Sequence, residues 1–208
     1  MAAATRITVG ISGASGAVYG VRMLQALSAL GVETELVVSA AAAQTLRHEL
    51  DMAVADVTAL ATRAYSIRDI GAAISSGSYR TDGMVVAPCS VKTLSAIVNS
   101  YDDNLLVRAA DVTLKERRRL VLLFRETPLH LGHLRLLTAA AEIGAQVFPP
   151  VPAFYHRPTT LDEVIDQTVS RVLDQLGLES GFVRWTGTGA RREDGDGSTG
   201  DLSTAERR

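Results

Sequence analysis

A single cysteine, Cys89, stands among the 208 residues, which excludes an intrachain disulfide framework and any cysteine-rich zinc or iron–sulfur site. A reducing compartment, the cytoplasm, is the expected location. Charge of neither sign dominates, since 21 Lys+Arg oppose 23 Asp+Glu for a formal net charge of -2. Without a basic excess no field gathers polyphosphate chains or anionic lipid, so neither nucleic acid nor a membrane is an expected partner. Long apolar runs are missing too. None approaches the roughly 18 residues of a membrane span, and Met1 to Arg6 lacks the basic stretch and apolar core of a secretion signal. Internal repeats are absent. The four histidines, His48, His130, His133 and His156, include one pair at helical i, i+3 spacing, but no carboxylate or cysteine nearby completes a ligand set, so no metal is expected. No G-x-S-x-G elbow announces a serine hydrolase.

What is present is apolar enough to fold. Hydrophobic residues make up 47% of the chain and the mean hydropathy is +0.14, sufficient for one globular domain and against disorder of the body. That domain is expected over residues 1–186. From Gly187 to Arg208 the sequence fills with Gly and charge, and this tail is expected to be disordered.

Within the body, short runs rich in branched residues alternate with longer stretches of helical spacing, the pattern of an α/β parallel sheet with helices on both faces. Expected strands are Ile7 to Ile11, Thr34 to Val38, Gly83 to Ala87, Leu120 to Phe124 and Ala145 to Phe148. The stripe Val18, Val21, Leu24, Leu27, Leu30 predicts a helix that stops at Gly31, and the stripe from Leu161 to Leu176 another that stops at Gly177. Pro88 is expected to end its strand, because it cannot donate to a ladder.

Four segments carry chemistry. Gly10-Ile-Ser-Gly-Ala-Ser-Gly16 lies between a strand and a helix, where bare backbone and free N–H groups favour an anionic oxygen. Its G-x-x-G-x-x-G spacing and lack of Lys disfavour the NAD fingerprint and the P-loop; Ser12 and Ser15 add hydroxyl donors, and a tight turn without ligand fits the segment equally well. Ala87-Pro-Cys-Ser-Val-Lys-Thr93 places Ser90 and Thr93 in a helix's first turn, as cap or as anion donors, while Cys89 reads as a small packed residue without chemistry. Two such loops at successive strand ends suggest one crevice. Arg108 and Lys115 are seven apart and fall near one helix face, whereas Arg117 to Arg119 read as a solvated helix end. Arg125-Glu126 follows an apolar strand at its carboxyl end, making Glu126 a candidate acid-base. In Pro152-Ala-Phe-Tyr-His-Arg-Pro158, Tyr155 offers a hydroxyl and, in the next helix, Arg171 a guanidinium that could hold a phosphate; each also reads singly as packing or surface.

Together these segments, with Ile74-Ser-Ser-Gly-Ser78, Arg108-Ala-Ala-Asp-Val-Thr-Leu-Lys-Glu-Arg-Arg118 and Arg184-Trp185, resemble the UbiX-type flavin prenyltransferases, long described as small subunits of phenolic and hydroxybenzoate decarboxylase systems. The resemblance covers nearly all of Arg6 to Trp185. It implies a homo-oligomeric, usually dodecameric, Rossmann-like (flavodoxin-like) protein that joins reduced FMN to dimethylallyl phosphate without a metal, giving prenylated FMN for a UbiD-type decarboxylase. By motif, Gly13, Ala14, Ser15, Ser39, Ser90, Val91, Lys92, Thr93 and Arg125 look like FMN-binding positions. Lys115, Glu126, Tyr155 and Arg171, with Arg108, resemble the set around dimethylallyl phosphate; Ser15 and Trp185 resemble active-site residues, as does Glu49. Breaking an allylic C–O bond suits such a set, because cations and hydroxyls gather the leaving charge while aromatic faces shelter the carbon fragment. Attachment at flavin N5 and ring closure at C6 imply proton removal, with Glu126 or the released phosphate as acceptor. Two other readings stay open: a non-catalytic FMN-holding subunit, against which the complete polar set argues, and a flavin-dependent decarboxylase of the cysteine-decarboxylase group, which would want a His where Tyr19 and Arg22 occupy the first helix.

Overall fold

The computed structural model describes residues 4–181, 184, 185 and 187. The tail expected at 187–208 therefore lies, apart from Gly187, outside the described residues. Six parallel strands form one sheet in the order β3-β2-β1-β4-β5-β6: β1 (Arg6–Ile11), β2 (Glu33–Val38), β3 (Arg63–Tyr65), β4 (Gly83–Cys89), β5 (Arg119–Phe124) and β6 (Gln146–Val147). That order is the Rossmann order, and the chain reverses its direction of travel across the sheet between β1 and β4.

The sheet is buried on both faces, and the period of two along each strand sorts its side chains between two cores. Ile7, Val9, Ile11, Val85, Ala87, Val121 and Leu123 pack against α1 (Ala17–Ala29), α2 (Ala40–Leu50) and α7 (Leu161–Leu176). Met84, Val86, Leu120, Leu122 and Phe124 pack instead against α4 (Val91–Val98), α5 (Leu105–Lys115) and α6 (Leu131–Glu142); a short α3 (Val54–Thr58) follows α2. Because α1 leaves β1 toward one face and α4 leaves β4 toward the other, the carboxyl ends of these neighbours part and leave a crevice between the two turns.

Two elements differ from expectation. Pro88 does not end β4: the strand runs on to Cys89, which pairs with Phe124 after a register shift beyond Val86. The ladder tolerates the missing N–H because the Pro88 carbonyl turns to the β1 side, accepting the Ser12 N–H at 3.2 Å and the Ser12 hydroxyl at 2.8 Å. The edge strand β3 was not expected at all. Arg63-Ala-Tyr65 contains no apolar run, and only its parallel pairing with Glu35 to Val37 makes it a strand.

Candidate active site

The turn after β1 is shaped by its glycines. Gly16 adopts φ 98°, a left-handed conformation that favours glycine, and precedes α1 without a side-chain cap. A Cβ at Gly13 would overlap that of Ala41 in α2. The orphan donors at the start of α1 go to Glu49, whose carboxylate accepts the N–H groups of Gly16 and Ala17, each at 2.9 Å. Burial pushes the Glu49 carboxyl up, but these two bonds, the Ser15 hydroxyl and the nearby Arg125 guanidinium outweigh it and hold the group below the ordinary glutamate range. Glu49, Ser15 and Arg125 thus form one cluster, although 34 residues separate Ser15 from Glu49 in sequence.

Ser12 takes a different part from the one its motif suggests. Its buried hydroxyl donates to the Pro88 carbonyl and accepts the Ser90 N–H at 2.8 Å, so it latches the β1 turn to the β4 turn and is not a phosphate donor. Ser90 is the N-cap of α4, accepting from Thr93 N–H at 3.3 Å, and Ser39 is the N-cap of α2, accepting from Ala42 N–H at 3.0 Å. Cys89 is fully buried beside them, its thiol pushed up to about 12 by that burial, which leaves it protonated and inert at neutral pH.

Two adjoining crevices open at these strand ends. The larger, about 550 Å³, is walled by Gly13, by Ser39 to Ala41, by Ser90 to Thr93, by the start of α5 and by Glu126. The smaller, about 320 Å³, lies among Gly13 to Ser15, Ser90, Val91 and Arg125 to Thr127. Every expected FMN-binding position therefore faces one of two connected spaces: Gly13, Ala14, Ser15, Ser39, Ser90, Val91, Lys92, Thr93 and Arg125. The combined space is of ligand-pocket size, and the first turns of α2 and α4 turn free backbone N–H groups and positive dipole ends toward it. These residues fit an anionic dinucleotide-sized or flavin mononucleotide ligand. Glu126 borders both spaces; its Oε1 accepts the Thr127 N–H at 3.0 Å and its carboxylate is otherwise open.

The remaining expected residues stand elsewhere within one chain. None of Arg108, Lys115, Tyr155, Arg171 or Trp185 lines either crevice. Arg108 and Lys115 do share a face of α5, against the segment around the 3-10 turn Ala73–Ser75. Arg108 donates to the Ser75 carbonyl at 3.2 Å and to Asp102 and Asp111 at 3.0 and 3.1 Å, and Lys115 pairs with Glu116 at 2.6 Å beside Gly77. From Asn104 at the crevice to Lys115 is about 16 Å of helix, toward the amino ends of the strands, where β5 begins at Arg119. Tyr155 gathers a third group: its hydroxyl accepts from Gln167 at 2.9 Å, its ring meets Trp185 edge-on at 5.7 Å, and Arg171 follows Gln167 by one turn of α7. Arg117 to Arg119 are not simply solvated, because Arg118 donates to the carbonyls of Gly77 and Tyr79 at 2.7 and 3.0 Å and staples that loop. His130 caps α6, accepting Gly132 N–H at 3.0 Å, with its ring stacked 3.7 Å from that of His133. Among the described residues no helix is long and apolar enough to cross a membrane.

Sequence reading missed Arg68 and Ile67, which also wall the larger crevice. They follow β3, and without that strand nothing placed them at a strand end.

Known proteins share this arrangement. A family model described as Flavoprotein matches residues 1–172. A protein of Thauera aromatica named Flavin prenyltransferase UbiX is 60% identical over 187 residues, covering 89% of this chain and 96% of its own. A crystal structure of AnUbiX (PadA1) in complex with FMN and dimethylallyl pyrophosphate superposes with a TM-score of 0.88 at 49% identity, covering 89% of this chain and 99% of that one. A dodecameric FMN-dependent UbiX-like decarboxylase from Escherichia coli O157:H7 superposes with a TM-score of 0.86 at 49% identity, covering 88% and 100%. Flavin-dependent cysteine decarboxylases such as SpaF share 16% identity at a TM-score of 0.57 and so share the fold alone. With identity of this order over nearly the whole body, and with the family's motifs meeting at one crevice, the chain belongs to the UbiX-type flavin prenyltransferases of the Flavoprotein family.

Proposed function

We propose that this protein is a flavin prenyltransferase that joins dimethylallyl phosphate to reduced FMN. The observation that carries the reading is the pair of connected crevices in which the Gly13–Ser15 turn, two helix N-termini, Arg125 and Glu126 converge, in a chain 60% identical to a flavin prenyltransferase. In that reaction the allylic C–O bond of the donor breaks as one bond forms at N5 of the reduced flavin, and inorganic phosphate departs with the displaced N5 proton; closing the ring at C6 consumes the donor's C=C bond, the proton lost from C6 being balanced by one gained at the other alkene carbon. The chain's own residues supply the rest. Gly13 to Ser15, Ser39, Ser90 to Thr93 and Arg125 bind and orient the flavin. Lys115, Arg108, Tyr155 and Arg171 collect the leaving phosphate's charge, which is worth most where water is excluded. Glu126, which borders both crevices, or the released phosphate accepts the proton. Glu49 holds the Ser15 turn in shape and Trp185 offers an aromatic face to the carbon fragment.

One chain alone does not bring these groups together, since Lys115 lies two helical turns beyond Arg108 and away from its own crevice. We infer a homo-oligomer in which the α5 face of one subunit meets the crevice of another; the dodecameric E. coli relative supports it. The product suits a UbiD-type decarboxylase as recipient, and the lone, buried Cys89 supports the cytoplasm as compartment.

The test is direct. Purified protein incubated anaerobically with reduced FMN and dimethylallyl phosphate should yield an extracted flavin heavier by one prenyl unit. An unchanged flavin mass would reduce the protein to an FMN-holding subunit or a decarboxylase.

A further inference from the structure

Gly77, in the loop between β3 and β4, has no conformational reason to be glycine. Its φ is not among the positive ones, so no left-handed backbone demands the missing side chain. What it lacks is room. A Cβ built there would overlap the Glu116 Oε1 and lie 2.6 Å from the Glu116 Cδ and 2.7 Å from the Lys115 Nζ. The bare backbone at Gly77 is thus the floor against which the Lys115–Glu116 ion pair rests, closed at 2.6 Å.

Neighbours in sequence do not ordinarily face each other on a helix. Lys115 and Glu116 meet because α5 ends between them: Lys115 is its last residue and Glu116 its C-cap, and both side-chain tips come over the same glycine. The bond from Lys115, with the charge of Arg118 nearby, holds the Glu116 carboxyl below the ordinary glutamate range, so it is an anion at neutral pH.

The floor itself is fixed on either side. Arg108 donates to the Ser75 carbonyl at 3.2 Å, and Arg118 to the carbonyls of Gly77 and Tyr79 at 2.7 and 3.0 Å. Beyond them the Tyr79 hydroxyl donates at 2.5 Å to Glu35, a fully buried carboxylate of β2 whose other oxygen accepts from Tyr65 at 2.7 Å. With the loop gripped at these points, a methyl group at Gly77 displaces the two flexible tips and not the backbone.

We infer that Gly77 and Glu116 are the positioning residues of Lys115: the glycine leaves the space, and the carboxylate holds the ammonium in it, so that the remaining N–H donors of Lys115 are set for the phosphate of the prenyl donor. A lysine already held loses less rotamer freedom when the phosphate arrives. The inference rests on the proposed role of Lys115 and adds the two residues that place it.

Calorimetric titration of dimethylallyl phosphate into full-length protein loaded with oxidised FMN, whose N5 is not nucleophilic, tests it alongside kcat/KM with reduced FMN. Gly77→Ala should raise the donor Kd roughly tenfold, as for loss of one charge-assisted contact, and lower kcat/KM by at least that factor, while the Kd for FMN and the urea midpoint stay at wild-type values. Glu116→Ala should raise the donor Kd several-fold, and adding Gly77→Ala to it should cost nothing more, because the carboxylate that the methyl group would displace is gone. Gly77→Ala that binds the donor as wild type does, or that loses FMN affinity or urea stability in step, overturns the part given to Gly77. Unchanged or tighter donor binding in Glu116→Ala overturns that of the carboxylate, and additive losses in the double variant overturn their common action. Wild-type protein that forms no prenylated flavin defeats the proposed function itself.

Discussion

Glu49 shows how a side chain far away in sequence can decide what a nucleotide-type loop does. The N-terminus of α1 is where a Gly-rich turn ordinarily meets phosphate, yet here its Gly16 and Ala17 donors are occupied by a carboxylate. Because the folded carboxyl lies below its ordinary value, its ionisation contributes stability that is complete above the unfolded glutamate pKa of about 4.3 and fades as pH falls through the folded value. Glu49→Gln should therefore be less stable than wild type at pH 7, by about 1 kcal/mol as for a lost helix cap, and the two should converge in acid. Urea unfolding at pH 7 and below pH 4 measures both; a gap that persists in acid would mean that Glu49 acts through packing and not through charge. None of this was legible in the motif. The sequence shows a glycine turn with two serines, but which partner each polar group takes depends on residues that only folding brings near, and so Ser12 looked like a donor for phosphate when its hydroxyl belongs to Pro88 and Ser90.

At the scale of elements, that Ser12 latch is what fixes the crevice's width. It joins the carboxyl ends of β1 and β4 at the point where their following helices part to opposite faces, and it satisfies a buried carbonyl and a half-buried N–H at once. Ser12→Ala leaves the half-buried Ser90 N–H without its side-chain partner, which costs about 1 kcal/mol. A urea midpoint lowered to match, together with weaker flavin binding, is expected; weaker binding at undiminished stability would instead make Ser12 a direct ligand contact. The central strands and the two long helices were readable because burial on both faces demands continuous apolar runs, and because Gly31 and Gly177 punctuate helices whose stripes are long. The edge strand β3 was not, since its pairing depends on β2 and not on any apolar run of its own, and with it went the placement of Arg68. Pro88 misled in the opposite direction: its missing N–H is a sound reason to end a strand, but its carbonyl found Ser12 and the ladder resumed at Cys89.

For the whole molecule, the spacing of Arg108 and Lys115 announced a common helix face, and they do share one. What spacing cannot announce is whose crevice that face serves. In one chain about 12 Å of α5 separates Lys115 from Val107, the last residue of that helix on the crevice wall, and Val151, Phe154, Leu161 and Trp185 stay exposed around the Tyr155 group, an apolar surface that a second copy would cover. If the site is assembled between subunits, two different lesions on two chains can compensate. Lys115→Ala and Glu126→Gln should each form prenylated flavin at least about 100-fold more slowly, the usual scale for a lost acid-base or charge-stabilising group, while Glu126→Gln still binds FMN. Co-expressed with separate affinity tags and purified through both, the two inactive chains should regain activity, since in a mixed assembly roughly a quarter of the sites draw an intact Lys115 from one chain and an intact Glu126 from another. A site formed within a single chain cannot be repaired in this way, because each chain carries one lesion. A mixed assembly as inactive as its parents would place Lys115 and Glu126 in the same subunit's reaction and require α5 to move relative to its own crevice.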